Sequence, residues 1–353
     1  MRNPFVMDCG VYHASYREDM AILSAPAARV KVACIIAGLL VFPWLVNPYY
    51  VGVANLVGIA AIGAVGLNIL TGFTGQISIG QGAFMAVGAY TAAFLTAKMG
   101  LSFWIALPAA GLVTAAVGAV FGIPSLRLKG LYLAIATLAA QMIVEFVVVH
   151  WTAVTNGTAG IVVSRPSIGG LVLQSNRAFY YLVLALSIAA VVFAMNLMRT
   201  RVGRAFMAIR DRDLAAAVMG INLFKYKVLA FALSSFYAGV GGALWGHYME
   251  VISPEHFTIA VSIEYLAMII IGGLGSVLGS VYGACFIILL PIILRGLAGY
   301  LAAGIPGIEN IMLGLQHAFF GLIIILFLVF EPEGLAKLWK NVKDYFKLWP
   351  FSY

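Results

Sequence analysis

Charge is what this chain has least of. Only 10% of its 353 residues are Asp, Glu, Lys or Arg, while 63% are hydrophobic. Ordinary globular chains carry about 25% charged and about 45–50% apolar residues. A soluble fold of this length has no way to hide so much apolar surface, because exposed area falls too slowly with size. Disorder is excluded by the same shortage, since disordered chains are polar. Cysteine is scarce: Cys9, Cys34 and Cys285 form no C-x-x-C pair, and two of them fall in apolar runs. That argues against disulfide or metal chemistry. The 38 glycines show no three-residue period, so the chain is not collagen-like. What remains is a polytopic membrane protein of mean hydropathy +1.02, whose spans need about 20 apolar residues each.

Enzyme motifs are missing as well. No G-x-x-x-x-G-K-[ST] occurs, so the chain cannot cradle ATP by itself. No H-E-x-x-H or G-x-S-x-G occurs either. His13, His150, His247, His256 and His317 are scattered, mostly near span ends, where interfacial histidines belong. Asp is absent from every apolar run, which leaves no carboxylate pair for proteolysis inside the membrane. No cofactor or metal is expected on the chain itself.

Nine apolar runs are present: 30–46, 50–70, 82–97, 102–122, 131–149, 179–198, 228–248, 261–294 and 311–330. Most are apolar all round, as lipid-embedded helices must be, and none alternates with the period of two that barrel strands require. Residues 1–29 have charges but no apolar core, which is not a cleavable signal peptide, so the first run is expected to stay as a signal anchor. The net charge of +8 does not call for nucleic acid, because cytoplasmic loops of membrane proteins collect Lys and Arg. Four basic residues lie in the N-terminal tail, seven in the loop 199–227, four in the C-terminal tail 331–353, and two are Arg127 and Lys129. Those 17 of the 21 fall on one side if both tails are cytoplasmic. Lys98, Arg165, Arg177 and Arg295 fall on the other.

Parity then bears on the count. Both tails on one side demand an even number of crossings. The run 261–294 would make one helix about 50 Å long at 1.5 Å per residue, against a hydrocarbon core of about 30 Å. It contains the cluster Gly272-Gly273-Leu274-Gly275-Ser276, which breaks helices. Splitting it there gives an all-α integral membrane protein with ten transmembrane helices. A re-entrant first half is the alternative. The membrane domain is 30–330, with a periplasmic loop at 150–178 and a cytoplasmic loop at 199–227. Helices 2–5 and helices 7–10 of this count have matching lengths and opposite orientation, the layout of an inverted repeat.

Two stretches carry candidate chemistry. Residues 66–82 are uncharged yet rich in Gly, amides and hydroxyls. Irregular backbone at membrane depth must be buried in protein or line a wet cavity. Asn68, Gln76, Ser78 and Gln81 are therefore candidates for a solute pathway. The competing reading is tight helix packing through Gly72, Gly75, Gly80 and Gly82, and the two can coexist. Glu145 joins the pathway candidates as an intramembrane carboxylate, unless His150 and Trp151 mark it as lying near the interface. The loop 199–227 is the second stretch. A helix is expected from Ala205 to Met219, with Gly220 as its stop. Its apolar Phe206, Ile209, Leu214, Val218 and Met219, interleaved with Arg210, Asp211, Arg212 and Asp213, suit either a groove on a soluble partner or anionic lipid.

The loop sequence GRAFMAIRDRDLAAAVMGINLFKYK, beginning at Gly203, resembles the coupling loop of LivM-type permeases of branched-chain amino acid ABC importers. GLNILTGFTGQISIGQGAFMAVGAY, GLYLAIATLAAQMIVEFVVVHW, SIEYLAMIIIGGLGSVLGSVYGA and FEPEGLAKLW agree in the same order. The resemblance covers roughly residues 45–339. It implies a ten-helix, type II ABC importer-like fold. The implied partners are a homologous LivH-type permease, two cytoplasmic ATPase subunits that carry ATP and Mg, a periplasmic solute-binding protein, and membrane lipid, but no nucleic acid. It assigns ATPase coupling to Gly203, Arg204, Arg210, Asp211, Arg212, Asp213 and Gly220, in a bacterial inner membrane protein with both termini cytoplasmic. Two departures stand out. Ala217 replaces the acidic residue usual in the coupling loop, and Met142 with Glu145 replaces an acidic–basic pair in the fifth helix. Relatives of the family also move urea, short amides or aromatic acids. A secondary transporter or channel is the rival class, and it would place ionisable residues along the path.

Overall fold

A computed structural model of the chain describes residues 26–168, 171, 172, 175–302 and, beyond these, 318, 321, 322, 324–327, 329–331 and 333–348. The N-terminal tail through residue 25, with Cys9 and His13, lies outside the described residues, as do 311–317 of the last apolar run, with His317.

The described apolar runs through residue 302 fold as helices. They are α1 (Pro26–Leu45), α2 (Pro48–Asn68), α3 (Gln81–Ala93), α4 (Phe103–Gly122) and α5 (Leu131–His150). After the loop come α6 (Asn176–Arg199), α7 (Arg201–Val218), α8 (Leu223–Met249), α9 (Ile259–Gly272), α10 (Val277–Ala302) and α11 (Leu335–Leu348). Seven helical stretches among the described residues are long and apolar enough to cross a membrane. The expected ten crossings are therefore not confirmed among the described residues. The third run forms 13 residues of α-helix that widen into a π-turn at Phe94–Lys98. The run 261–294 does divide at the glycine cluster, into α9 and α10. Gly273 there takes φ +116, a conformation that L side chains rarely adopt.

α8 runs through the centre, packed against α2, α3 and α4. Small residues make up most of its buried faces: Ala230, Ser234, Ser235, Ala238, Gly239, Gly242 and Ala243 are all buried, beside the larger Phe231, Tyr237, Leu244 and His247. Backbones consequently approach very closely. A Cβ built on Gly88 of α3 would lie 2.3 Å from the Gly239 Cα, and one on Gly242 would lie 2.1 Å from the Met85 carbonyl oxygen. In lipid, where apolar burial gives little drive for helices to associate, such packing supplies the cohesion. Large side chains fill the remaining gaps, with Phe84, Phe179, Phe206 and Phe231 fully buried.

One end of the bundle carries the loop between α5 and α6. It contains two short antiparallel pairings. β1 (Ile161–Val162) pairs with β4 (Val251–Ile252), and β2 (Ser167–Ile168) pairs with β3 (Leu171–Val172). Arg165 Nε donates to Glu250 Oε1 at 2.5 Å, tying this loop to the end of α8. Lys98 Nζ donates to the Ala153 carbonyl at 2.9 Å and to Asn156 Oδ1 at 3.1 Å. The opposite end carries α7, Lys129 and α11. Among the described residues, Lys98 and Arg165 thus lie at one end of the bundle and Lys129, Arg210 and Lys227 at the other.

Gly88→Val forces side-chain atoms into the Gly239 backbone. It is expected to destabilise the bundle by about 1–3 kcal/mol or more, as overpacking does. Gly296→Ala, with open space around its Cβ, is the matched control. Thermal unfolding in detergent should separate the two, and an equal midpoint for both would refute the close-packing account.

Candidate functional site

The segment that interrupts α2 and α3 is built from its own backbone. α2 continues into a π-turn at Ile69–Phe73, which ends where Gly75 takes φ +72. Thr71 Oγ1 donates to the Gln76 carbonyl at 3.2 Å and Thr74 Oγ1 to the Ile69 carbonyl at 2.9 Å. These bonds satisfy groups that a broken helix would strand in an apolar surrounding.

Asn68 fastens this break to the second one. It is buried, and its Nδ2 donates to the Ser276 carbonyl at 2.8 Å and to Ser280 Oγ at 2.7 Å. Its Oδ1 accepts from the Gly275 backbone N–H at 2.9 Å. One side chain therefore bonds the backbone of a break more than 200 residues away in sequence.

The other expected pathway residues divide. Ser78 is buried and accepts from the Gly80 N–H at 3.3 Å. Gln81 is buried, with Nε2 donating to the Gly63 carbonyl at 3.0 Å. Asn68, Ser78 and the Gln81 amide nitrogen thus hydrogen-bond within the chain itself. Gln76 differs: it is buried, yet its amide nitrogen and oxygen have no hydrogen-bond partner. It lines a cleft of about 210 Å³ together with Lys129, Arg210, Asp211, Arg212, Asp213 and Lys227. Glu145 lies elsewhere, half-buried on α5 beside Gln141, Pro254 and Phe257. Sequence reasoning did not single out Gln141. It accepts from the Ala83 N–H at 2.5 Å and donates to the Phe257 carbonyl at 2.7 Å, joining α3, α5 and the turn before α9. Nothing in its local sequence signals those distant partners.

α7 brings the charged loop residues to the same cleft. Thr200 caps its start, accepting from the Val202 N–H at 3.2 Å and the Gly203 N–H at 3.5 Å. Gly203 lets the chain turn sharply there, since a Cβ would sit 2.4 Å from the Met198 Cα. Arg204 is exposed in the first turn. The expected single helix is in fact two. Arg212 is extended at φ −158 and ψ 102, and the helix restarts after it. Asp213 opens the second segment, where a carboxylate complements the positive N-terminal end. The segment ends in a Schellman motif, with Ile221 N–H donating to the Ala216 carbonyl and Gly220 N–H to that of Ala217. Gly220 takes φ +85, as its expected role as a stop requires.

The two segments face different surroundings. Phe206 and Ile209 of the first are buried in the bundle. Leu214, Val218 and Met219 of the second are 74%, 88% and 82% exposed. Arg210 joins the first segment to the glycine break, with Nη1 donating to the Gly72 carbonyl at 3.2 Å and Nη2 to Asp211 Oδ1 at 3.1 Å. Asp213 joins the second segment to the membrane helices, lying 2.5 Å from Lys129 Nζ and 3.7 Å from the buried Lys227 Nζ. The hydrogen bond from Lys129 holds the Asp213 carboxyl below the usual carboxylate range, against the opposing effect of its burial.

The family described as the permease component of branched-chain amino acid transport systems matches residues 49–328. The high-affinity branched-chain amino acid transport system permease protein LivM of Salmonella typhimurium strain LT2 is 33% identical over 339 residues, which is 88% of this chain and 76% of the relative. The LivM protein of Escherichia coli K12 matches with the same identity and coverage. A probable branched-chain amino acid transport permease protein LivH of Methanocaldococcus jannaschii is 26% identical, over 79% of this chain and 89% of its own length. No solved structure matches the chain.

Two predictions test the site. Asn68→Ala strands the Gly275 N–H, and a buried unpaired group costs about 1–3 kcal/mol. The unfolding midpoint should fall, and an unchanged midpoint would refute the clamp. Asp213 titrates below its unfolded value, so its stabilising pairing is complete above the ordinary carboxylate pKa of about 3.9. That pairing is lost as the pH falls through the lower folded value. Protease cleavage within α7 should rise at that step, and Asp213→Asn should abolish the step while raising cleavage at neutral pH.

Proposed function

The chain belongs to the permease family of branched-chain amino acid transport systems, and from that premise we propose that it is the membrane subunit of an ATP-driven importer for branched-chain amino acids. It is a permease subunit, not an enzyme. It pairs with a homologous LivH-type permease in the bacterial inner membrane. Two cytoplasmic ATPases bind ATP and Mg, and a periplasmic solute-binding protein delivers the solute. Both termini are cytoplasmic, so the end bearing α7 faces the ATPases and the loop 150–178 faces the periplasm.

The observation that carries this reading is the divided α7. Its first segment is buried in the bundle, and its second presents Leu214, Val218 and Met219 outward. A short helix with exposed apolar anchors is what a groove on a soluble partner accepts. ATP binding closes the ATPases and displaces the outer segment. Arg210 and Asp213 pass that displacement to the glycine break and to the feet of α5 and α8. The ATP-bound state must favour one opening of the pathway over the other, since equal stabilisation shifts no equilibrium. Gly203, Arg204, Asp211 and Gly220 shape the helix that carries the load. Of the pathway residues, Gln76 and Glu145 remain the ones for the solute to meet, because Asn68, Ser78 and Gln81 are bound to backbone or neighbouring hydroxyls.

Arg210→Glu with Arg212→Glu should abolish ATP-driven uptake while the subunit still inserts and assembles. The Arg210 bond alone is a charge-assisted one worth about 1.5–3 kcal/mol, or roughly 10- to 150-fold in an equilibrium. The assay is reconstitution with the partner subunits and uptake of leucine against urea, short amides and benzoate. Normal uptake by the double variant would overturn the coupling assignment. Uptake of another of these solutes would keep the mechanism and replace the substrate. Uptake without any ATPase would establish a secondary transporter.

A further inference from the structure

The transport reading makes no use of α11, the fourteen-residue helix Leu335–Leu348. Its sequence, LAKLWKNVKDYFKL, places Leu335, Leu338, Trp339, Val342 and Tyr345 at helical spacings of three and four. They therefore form one stripe. Lys337, Lys340 and Asp344 belong to the opposite side, with Lys343 at the margin. Four lysines against one aspartate leave the helix with an excess of three positive charges.

The bundle holds only the start of this helix. Gly334, at φ +80, turns the chain into it, and a Cβ there would lie 2.6 Å from the Gly273 Cα. A Cβ on Gly273 would in turn lie 3.3 Å from the Ala336 Cβ. α11 thus begins against the break between α9 and α10, at the end of the bundle that carries α7. Beyond this first turn the apolar stripe is open, with Leu338 at 42%, Trp339 at 61%, Val342 at 40% and Tyr345 at 63% exposure. The helical residues just before it, Leu326, Val329 and Phe330, are themselves exposed and apolar. The helix therefore leaves the bundle only a few residues from a lipid-facing surface.

We propose that α11 lies in the headgroup layer of an anionic membrane leaflet, with its apolar stripe facing the acyl chains and its lysines on lipid phosphates. Charge complementarity selects this occupant: a helix of high amphipathicity, low net hydrophobicity and a Lys-rich polar side partitions into such a layer. Each lysine near an anionic surface adds to the attraction. Trp339 and Tyr345 lie where amphipathic rings favour the membrane–water boundary. The seat of α11 on Gly273 makes it a brace: it ties the break that Asn68 clamps to the surface of the leaflet. The proposal needs only that the chain spans a membrane, so its outcome is independent of the solute transported.

The test uses the full chain with Cys9, Cys34 and Cys285 replaced by serine. A single new cysteine, Val342→Cys or Lys340→Cys, carries an environment-sensitive fluorophore, and the protein is reconstituted in vesicles. In phosphatidylglycerol-containing vesicles the Val342→Cys label should be blue-shifted and quenched by a shallow lipid nitroxide. The Lys340→Cys label should instead be quenched by aqueous iodide. In pure phosphatidylcholine, or with Lys337→Glu and Lys343→Glu added, lipid quenching at 342 should weaken by roughly tenfold. Equal iodide access at 342 and 340 in the anionic vesicles would overturn the proposal. So would protection at 342 that is the same in phosphatidylcholine, or that arises only when ATPase subunits are added.

Discussion

The side chain of Asn68 is the joint on which the rest of the structure depends. Two helix interruptions meet at one end of the bundle, the π-turn after α2 and the glycine turn between α9 and α10. Each leaves backbone groups that lipid cannot satisfy, and in hydrocarbon such groups are costly enough to forbid an isolated break. An amide offers one acceptor and two donors on a single planar group. Asn68 spends them on Gly275, Ser276 and Ser280, so each break becomes tolerable because the other lies beside it. A carboxylate lacks the donors, and an aliphatic side chain of similar size lacks all three.

Around that joint the fold is stiff where glycine permits contact and movable where charge replaces it. α8 is held by backbone-to-backbone approach against α3 and α4, which leaves little room for sliding. α7 is held differently. Its second segment is tied by Asp213 to Lys129 and Lys227, a pairing open enough to water to be modest in strength. The extended backbone at Arg212 separates the two segments, so the outer one can move without unseating Phe206 and Ile209. A rigid membrane core with a weakly tethered outer helix is a division suited to passing a displacement inward without remodelling the core.

The sequence made the local features legible and hid the distant ones. Apolar runs marked the helices, because the length and hydropathy of a span are local properties. The Gly272–Ser276 cluster marked the break in the long run, and Gly220 marked the end of α7, since both depend on backbone conformations that glycine alone adopts easily. The positive charges separated the two ends of the bundle. The partnership of Asn68 with Ser280 was not legible, nor was that of Gln141 with Phe257, because both partners lie more than a hundred residues away. The kink at Arg212 was hidden for another reason. Residues 205–219 are good helix formers throughout, and the interruption falls beside Asp213, whose partners Lys129 and Lys227 belong to other elements. Likewise, the third run had the composition of a crossing but spends its last turn as a π-turn.

The same logic explains why polar residues cluster where the sequence led one to expect a solute. A broken helix inside a membrane needs amide and hydroxyl groups for its own backbone before any remain for a ligand. Asn68, Thr71, Thr74, Ser78 and Gln81 all serve that need, and Gln76 alone among the buried polar side chains of that stretch keeps both amide atoms without a partner. The stretch is therefore first a structural device. What it holds in place is a backbone carbonyl, that of Gly72, turned toward Arg210. A fixed carbonyl opposite a guanidinium is a directional contact, and guanidinium geometry makes it more so than an ammonium would. The glycine-rich break thus meets α7 through the position it gives to that carbonyl and through one arginine.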